Sequence, residues 1–205
     1  FRFPTRTEIW SADGRVARMV ADVGLQDRVL NASGAVPTGL RQASWRADAP
    51  ATLVWVEALD NGDPAKTVPK RDRVLVLAAP FTGDPQTLIE VANRFDGIIW
   101  GRDNLAVVGE YWDKNRKSVT WTIDPSRPGS APKLVWDRSY EDTYTDPGTF
   151  ATTAGRFGQQ VLFTTSDGSK AFLIGPGASP EGDRPFLDRF DISTSKSERL
   201  WRSEA

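Results

Sequence analysis

The sequence contains neither cysteine nor histidine. Without cysteine there are no disulfides, thiolate metal sites or thiol nucleophiles. The redox compartment stays open, because exported proteins can lack cysteine too. Without histidine, these residues alone cannot assemble a Ser-His-Asp triad, a His-ligated zinc site or a histidine general base. No apolar run approaches the ~20 residues that cross a bilayer, so no membrane partner is expected. Neither sign of charge prevails, with 26 basic against 27 acidic residues, which argues against nucleic acid or an anionic membrane as partner. The chain has no P-loop, no G-x-G-x-x-G and no G-x-S-x-G. Ser179 in "GPGASPEG" has the wrong spacing for a nucleophile elbow and reads as a loop residue. The chain does not begin with Met, and "FRFPTRTEIW" has no signal-peptide character, so the expectation is a start inside a longer protein.

What is present is aromatic: eight Trp and ten Phe against one Met, within 205 residues. That composition suits β-structure better than a helical bundle. Short runs rich in β-branched and aromatic residues read as strands: "TLVWVEAL", "RVLVLAAP", "LAVVGEYW", "SVTWTIDP", "KLVWDRS" and "QVLFTTSDG". Between them stand "DNGDP", "TGDP", "GRDN", "DPSRPGSAP" and "SDGS", where Asn-Gly, Asp-Gly and Pro favour turns. A helix is plausible only at "RVARMVADVGL", where a strand pair reads almost as well.

The strands recur. Trp45 precedes a polar stretch and the strand from Leu53, Trp100 precedes "GRDN" and the strand from Leu105, and "GRFGQQ" precedes a strand from Val161. The inner strands therefore repeat at intervals of 52 and about 56 residues. Four-stranded units at this period, with no helices between, are the sequence form of β-propeller blades. The expected fold is all-β: a partial β-propeller of about three and a half four-stranded antiparallel blades. All 205 residues form a segment of one propeller domain, with blades at 1–40 (partial), 41–92, 93–138 and 150–203. Loops are lengthened at 21–42, 139–153 and 175–185.

The densest charge lies in "WVEALDNGDPAKTVPKRDRV". Glu57, Asp60 and Asp63 fall within seven residues, followed by Lys66, Lys70, Arg71 and Arg73. The plain reading is a hairpin corner with Asx turns and local ion pairs. A calcium loop lacks the required alternation of ligands. A paired-carboxylate glycosidase site needs two acids facing across a cleft, which spacing does not show. A second cationic stretch, "YWDKNRKSVTW", places Lys114, Arg116 and Lys117 at a hairpin tip. There a guanidinium could hold a carboxylate in bidentate fashion. "WDRSYEDTYTDPG" adds Arg138 among Asp137, Glu141, Asp142 and Asp146.

The strings "WVEALDNGD", "RDRVLVLAAPFTGDP", "RFDGIIWG", "LAVVGEYWDKNRKSVTW", "WDRSYEDTYTDPG" and "GASPEGDRPFLDRFDI…ERLW" resemble the propeller region of the glutamyl endopeptidase-like subfamily of prolyl oligopeptidase serine peptidases. The resemblance covers nearly the whole chain and is weakest before residue 40. It implies a parent with a seven-bladed propeller and an α/β-hydrolase domain that carries the triad. It also implies a propeller that admits peptides and excludes folded proteins, and cleavage after Glu. No catalytic residue is carried onto this chain, and no metal or other cofactor is implied. For recognition of the substrate carboxylate, the resemblance points to Arg116 and Lys117. Arg71, Arg73 and Arg138 are comparable, and Val119 stands where a further Arg would be expected.

The leading expectation is therefore a non-catalytic gating and recognition segment. Its partners are the hydrolase domain of the same polypeptide and peptide substrates, and an exported or periplasmic parent is plausible. A stand-alone propeller-like binding scaffold is the alternative, and a glycoside hydrolase ranks below both. An arc cut from a ring would leave open blade faces, so self-association of the isolated segment is expected.

Overall fold

The computed structural model describes residues 3–102 and 104–204. It is all-β, with several antiparallel sheets and, among the described residues, a single short 3-10 turn at Asp113–Asn115. No sheet closes on itself among the described residues.

The first sheet is the hairpin β1 (Thr5–Trp10) and β2 (Val16–Val23), paired antiparallel. This corrects the helix considered for "RVARMVADVGL". Pairing with β1 satisfies the backbone of that segment, and Val20 packs on the neighbouring sheet. Local propensity yields to tertiary context. The second sheet is a meander of β3 (Arg41–Trp45), β4 (Thr52–Ala58), β5 (Asp72–Ala78) and β6 (Gln86–Val91). The third repeats the order with β7 (Arg94–Trp100), β8 (Ala106–Trp112), β9 (Lys117–Ile123) and β10 (Lys133–Ser139).

The fourth sheet is interrupted. Its strands are β11 (Thr149–Phe150), β14 (Lys170–Gly175), β15 (Phe186–Asp191) and β16 (Lys196–Arg202). A separate hairpin, β12 (Thr152–Ala154) with β13 (Gln160–Leu162), is inserted after β11. The strand expected from Val161 thus belongs to this insert, and "KAFLIG" is the long central strand instead.

The sheets stack through apolar layers. On β4, alternate side chains serve opposite layers, as the period of two requires. Leu53 and Trp55 join Ile9, Leu75 and Leu77 against the first hairpin. Val54 and Val56 join Val74, Val76, Ile89, Trp100 and Val108 against the third sheet. Val107 then meets Phe150, Leu162, Ala171, Leu173 and Phe190 of the fourth sheet and its insert. Burying each such side chain contributes roughly 1.5–3 kcal/mol, so β4 and β8 are held from both sides. The outward faces of the end sheets are not covered by any of the described residues. The row Ile174–Leu187–Trp201 runs across β14, β15 and β16, and Trp201 is 56% exposed. At the other end Trp10 and Met19 are likewise open to solvent.

Antiparallel order places the segments 24–40, 59–71, 113–116, 140–148 and 176–185 at the same end of their strands. The first four of these touch. The Val36 N–H donates to the Gly62 carbonyl at 3.2 Å, and Tyr140 N–H to the Arg116 carbonyl at 2.9 Å. Ser33 Oγ donates to Asp113 Oδ2. The long loops therefore form one continuous elaborated end.

Candidate functional site

At the base of this end lies a buried charge network. Asp60 closes β4, and its Oδ1 accepts the Gly62 N–H at 2.9 Å, an Asx turn in which Asn61 and Gly62 take positive φ. Its Oδ2 accepts Arg71 Nη1 at 2.8 Å and Arg94 Nη2 at 2.7 Å. Arg94 also donates from Nη1 to Asp72 Oδ1 at 2.8 Å and from Nε to the Gly34 carbonyl at 2.7 Å. Asp72 Oδ2 accepts the Phe95 N–H at 2.9 Å, and Arg41 lies 2.8 Å from its Oδ1. Charges this far from water persist only when paired and hydrogen-bonded.

The three acids of the charge-dense turn thus serve separately. Asp60 belongs to the network, and Asp63 accepts the Ala65 N–H at 2.9 Å. Glu57 accepts Trp55 Nε1 at 3.0 Å and Arg73 Nη2 at 3.1 Å. They do not converge as metal ligands or as a catalytic pair. The turn is a hairpin corner whose first acid anchors neighbouring sheets.

Above the network, a cleft of about 310 Å³ is lined by Ser33, Gly34, Pro64, Trp112, Lys114 and Arg116. Its aromatic surface is Trp112, at the end of β8. The Arg71 guanidinium stacks on this ring at 4.0 Å from the centroid. Gly34, at φ +78°, is required here, since a Cβ would come within 2.9 Å of Trp112 Cζ3. The rim carries both signs: Asp113 lines it beside Lys114 and Arg116. Arg116 holds the left-handed conformation, at φ 58°, that ends the 3-10 turn. It donates from Nε to Glu141 Oε1 at 2.8 Å and from Nη1 to the Asp113 carbonyl at 2.6 Å. The Glu141 hydrogen bond, followed by the charge of the same carboxylate, raises the Arg116 pKa above its ordinary value. Lys114 is exposed and makes no ion pair among the described residues.

The five cations singled out in the sequence do not share one pocket. Arg116 lines the cleft, and Arg71 backs it from behind Trp112. Lys117 pairs with Asp137 at 3.0 Å, and Arg138 lies 3.7 Å from Asp146. Arg73 pairs with Glu57 across the β4–β5 ladder. Sequence reasoning missed Arg94 and Asp72, which hold the base, and Trp112, which forms the wall. Only the aromatic end of "LAVVGEYW", next to a basic tip, hinted at the last. Chemically, Lys114 is the cation of this cleft without an ion pair among the described residues, and a carboxylate reaching Arg116 would have to share it with Glu141.

Stacked antiparallel sheets that present loops at one end define an all-β protein. Two curated relatives sharpen this. The chain is 41% identical over 209 aligned residues to a probable chloroplastic glutamyl endopeptidase of Arabidopsis thaliana. It is 39% identical over 208 to the protein of the same name in Oryza sativa subsp. japonica. Both alignments cover 99% of this chain and 22% of the relative. The chain thus corresponds to about a fifth of their length, and the similarity supports a peptidase-related family. No protein-family model matches the chain, and no solved structure matches it.

Proposed function

We propose that the chain is a non-catalytic β-propeller segment of a prolyl oligopeptidase-family serine peptidase of the glutamyl endopeptidase type. It gates peptide access and helps recognise substrate. The observation that carries this reading is the similarity, over 99% of the chain, to two proteins named as probable glutamyl endopeptidases. The stack agrees with it. Three four-stranded antiparallel sheets, packed face to face through apolar layers, are what propeller blades require. In this reading they are three blades, with β1–β2 the outer half of another. Further blades of the same polypeptide cover the end faces, and a hydrolase domain that supplies the nucleophile and its base sits over the loops. The cleft beside Trp112 then offers Arg116 and Lys114 to an acidic substrate side chain. Lys117, Arg71, Arg73 and Arg138, each paired with an acid, hold the surrounding loops and strands in place.

The test uses the intact polypeptide that contains this chain. It is expected to cleave short peptides after Glu, whereas the 205-residue chain alone does not. Arg116→Ala in the intact protein is expected to raise KM for Glu peptides several-fold while leaving kcat largely unchanged, the sign of a lost binding contact. Hydrolysis by the isolated chain, or an intact protein with no peptidase activity, overturns the proposal.

A further inference from the structure

Two glycines face one another in the middle of the third sheet. Gly97 on β7 pairs with Gly109 on β8, and Gly109 pairs with Thr120 on β9. Glycine inside a strand weakens it and ordinarily marks a bulge or a close approach of another group. Neither residue has a positive φ that would demand glycine. A Cβ built on Gly97 would meet nothing within 4 Å, and one on Gly109 would meet only the Asp96 side chain, at 3.5 Å or beyond. No other part of the described chain uses the room these residues leave.

That room is a cavity of about 340 Å³ between the third and fourth sheets, within the size range of ligand pockets. Ile99, Val107, Trp136 and Phe150 give it an apolar lining, the last two stacked at 5.3 Å between centroids. Its polar groups are unequal. Arg138 and Asp146 lie 3.7 Å apart and offset each other, and Arg138 also donates to the Asp142 carbonyl. Asp96 is exposed, lines the same cavity and has no ion-pair partner among the described residues. Its charge reaches Tyr111, whose pKa is raised first by burial and then by Asp113 and Asp96. The cavity therefore combines an apolar notch with one unbalanced negative charge at its solvent edge.

From this geometry we infer that the Gly97–Gly109 notch is a binding site for a cation on an apolar stem: an alkylammonium or alkylguanidinium group, such as a lysyl or arginyl side chain. The methylenes lie along the glycine wall against Trp136 and Phe150, and the cation meets Asp96. The site is separate from the Trp112 cleft and prefers the opposite charge, so it does not depend on the peptidase reading.

The test is a titration of the 15N-labelled 205-residue chain, read at the amide signals of Gly97 and Gly109. The probes are butylammonium, Nα-acetyl-lysine methylamide and the norleucine and glutamate counterparts of the latter. Saturable shifts are expected with butylammonium and the lysine derivative. Norleucine is expected to bind about tenfold or more weakly, and glutamate not at all. Asp96→Asn is expected to remove the preference for the cation. Gly97→Ala and Gly109→Ala are expected to abolish binding while the urea midpoint stays level or rises, since the added methyls collide with nothing and alanine suits a strand better. Equal binding of norleucine, unchanged binding in Gly97→Ala, or no saturable shift at either glycine overturns the inference. So does unfolding of Gly97→Ala, which would give the glycine a purely structural role.

Discussion

Arg94 and Asp60 meet at 2.7 Å although 34 residues separate them, and the two side chains are 1% and 0% exposed. One stands at the start of β7 and the other just past the end of β4, so this contact ties the second sheet to the third. Arg94 also holds Asp72 and the Gly34 carbonyl. Replacing it by Met leaves two buried carboxylates with less compensation. The expected loss is about 3–5 kcal/mol, read as a fall in the urea midpoint. Asp60→Asn in the Arg94→Met background is expected to cost less than it does alone, because the partners are already separated.

Gly62 and Gly14 both hold positive φ, +74° and +81°. A methyl on Gly62 would collide with the Val36 carbonyl oxygen, whereas one on Gly14 meets nothing within 4 Å. Gly14→Ala is expected to lose only the backbone preference, about 1 kcal/mol. Gly62→Ala is expected to lose clearly more and to loosen the 24–40 loop. Thermal melts of the two variants side by side check the order.

Phe190 is fully buried and packs on Trp136 at 5.5 Å and Phe150 at 5.3 Å. Phe190→Ala is expected to destabilise by about 3–5 kcal/mol, the range for a large buried aromatic. By contrast, Trp201 and Ile174 lie in one cross-strand row on the uncovered face. Changing both to Ser is expected to leave the melting temperature nearly unaltered but to reduce self-association of the isolated chain in sedimentation experiments. An oligomer that persists in the double variant would move the contact elsewhere.

Four aspartates, exposed or half-buried, have lowered pKa values. Hydrogen bonds from Thr165 and Ser169 hold Asp167 at about 2. Lys170, followed by Ser193 and Thr194, lowers Asp191 further. Ser126 and Arg127 lower Asp124, and Thr145 lowers Asp142. A carboxylate whose pKa is depressed in the folded state adds stability above its unfolded value, near 4, and that stability fades as pH falls through the folded value. The melting temperature is therefore expected to drop between about pH 4 and 2. The drop should be shallower in an Asp167→Asn, Asp191→Asn variant, which already lacks that stabilisation.

Strands β4, β5, β8, β9 and β10 were legible because each is an apolar, β-branched or aromatic run bounded by residues suited to turns. Strand β14 was not. The β12–β13 insert lengthens the fourth sheet's period: Thr52 and Ala106 begin equivalent strands 54 residues apart, but Lys170 follows Ala106 by 64. A search at constant spacing therefore stops at β13. For the same reason the counterpart of the Trp45 and Trp100 corners is Thr164, which bridges to Ala171 as Trp100 pairs with Ala106. Local sequence gave the Asp60 turn correctly, since an Asx bond spans two residues. The partners of its other oxygen are fixed by the register of two sheets, and no local pattern carries that. Nothing local to Arg94 or Trp112 marks either for its role, since Arg94 is paired with Asp60 and Asp72 across the sheets and Trp112 is met by Arg71.

The 24–40 segment contains no helix or strand, and such segments ordinarily exchange their amide protons quickly. This one is fastened from two sheets: by Gly62 beyond β4, by Arg94 on β7 and by Asp113 after β8. It can lift only when those attachments release together. Its hydrogen-bonded amides, Val36 among them, are therefore expected to exchange only as the sheets beneath open, so that a seemingly loose strap reports on the integrity of the stack.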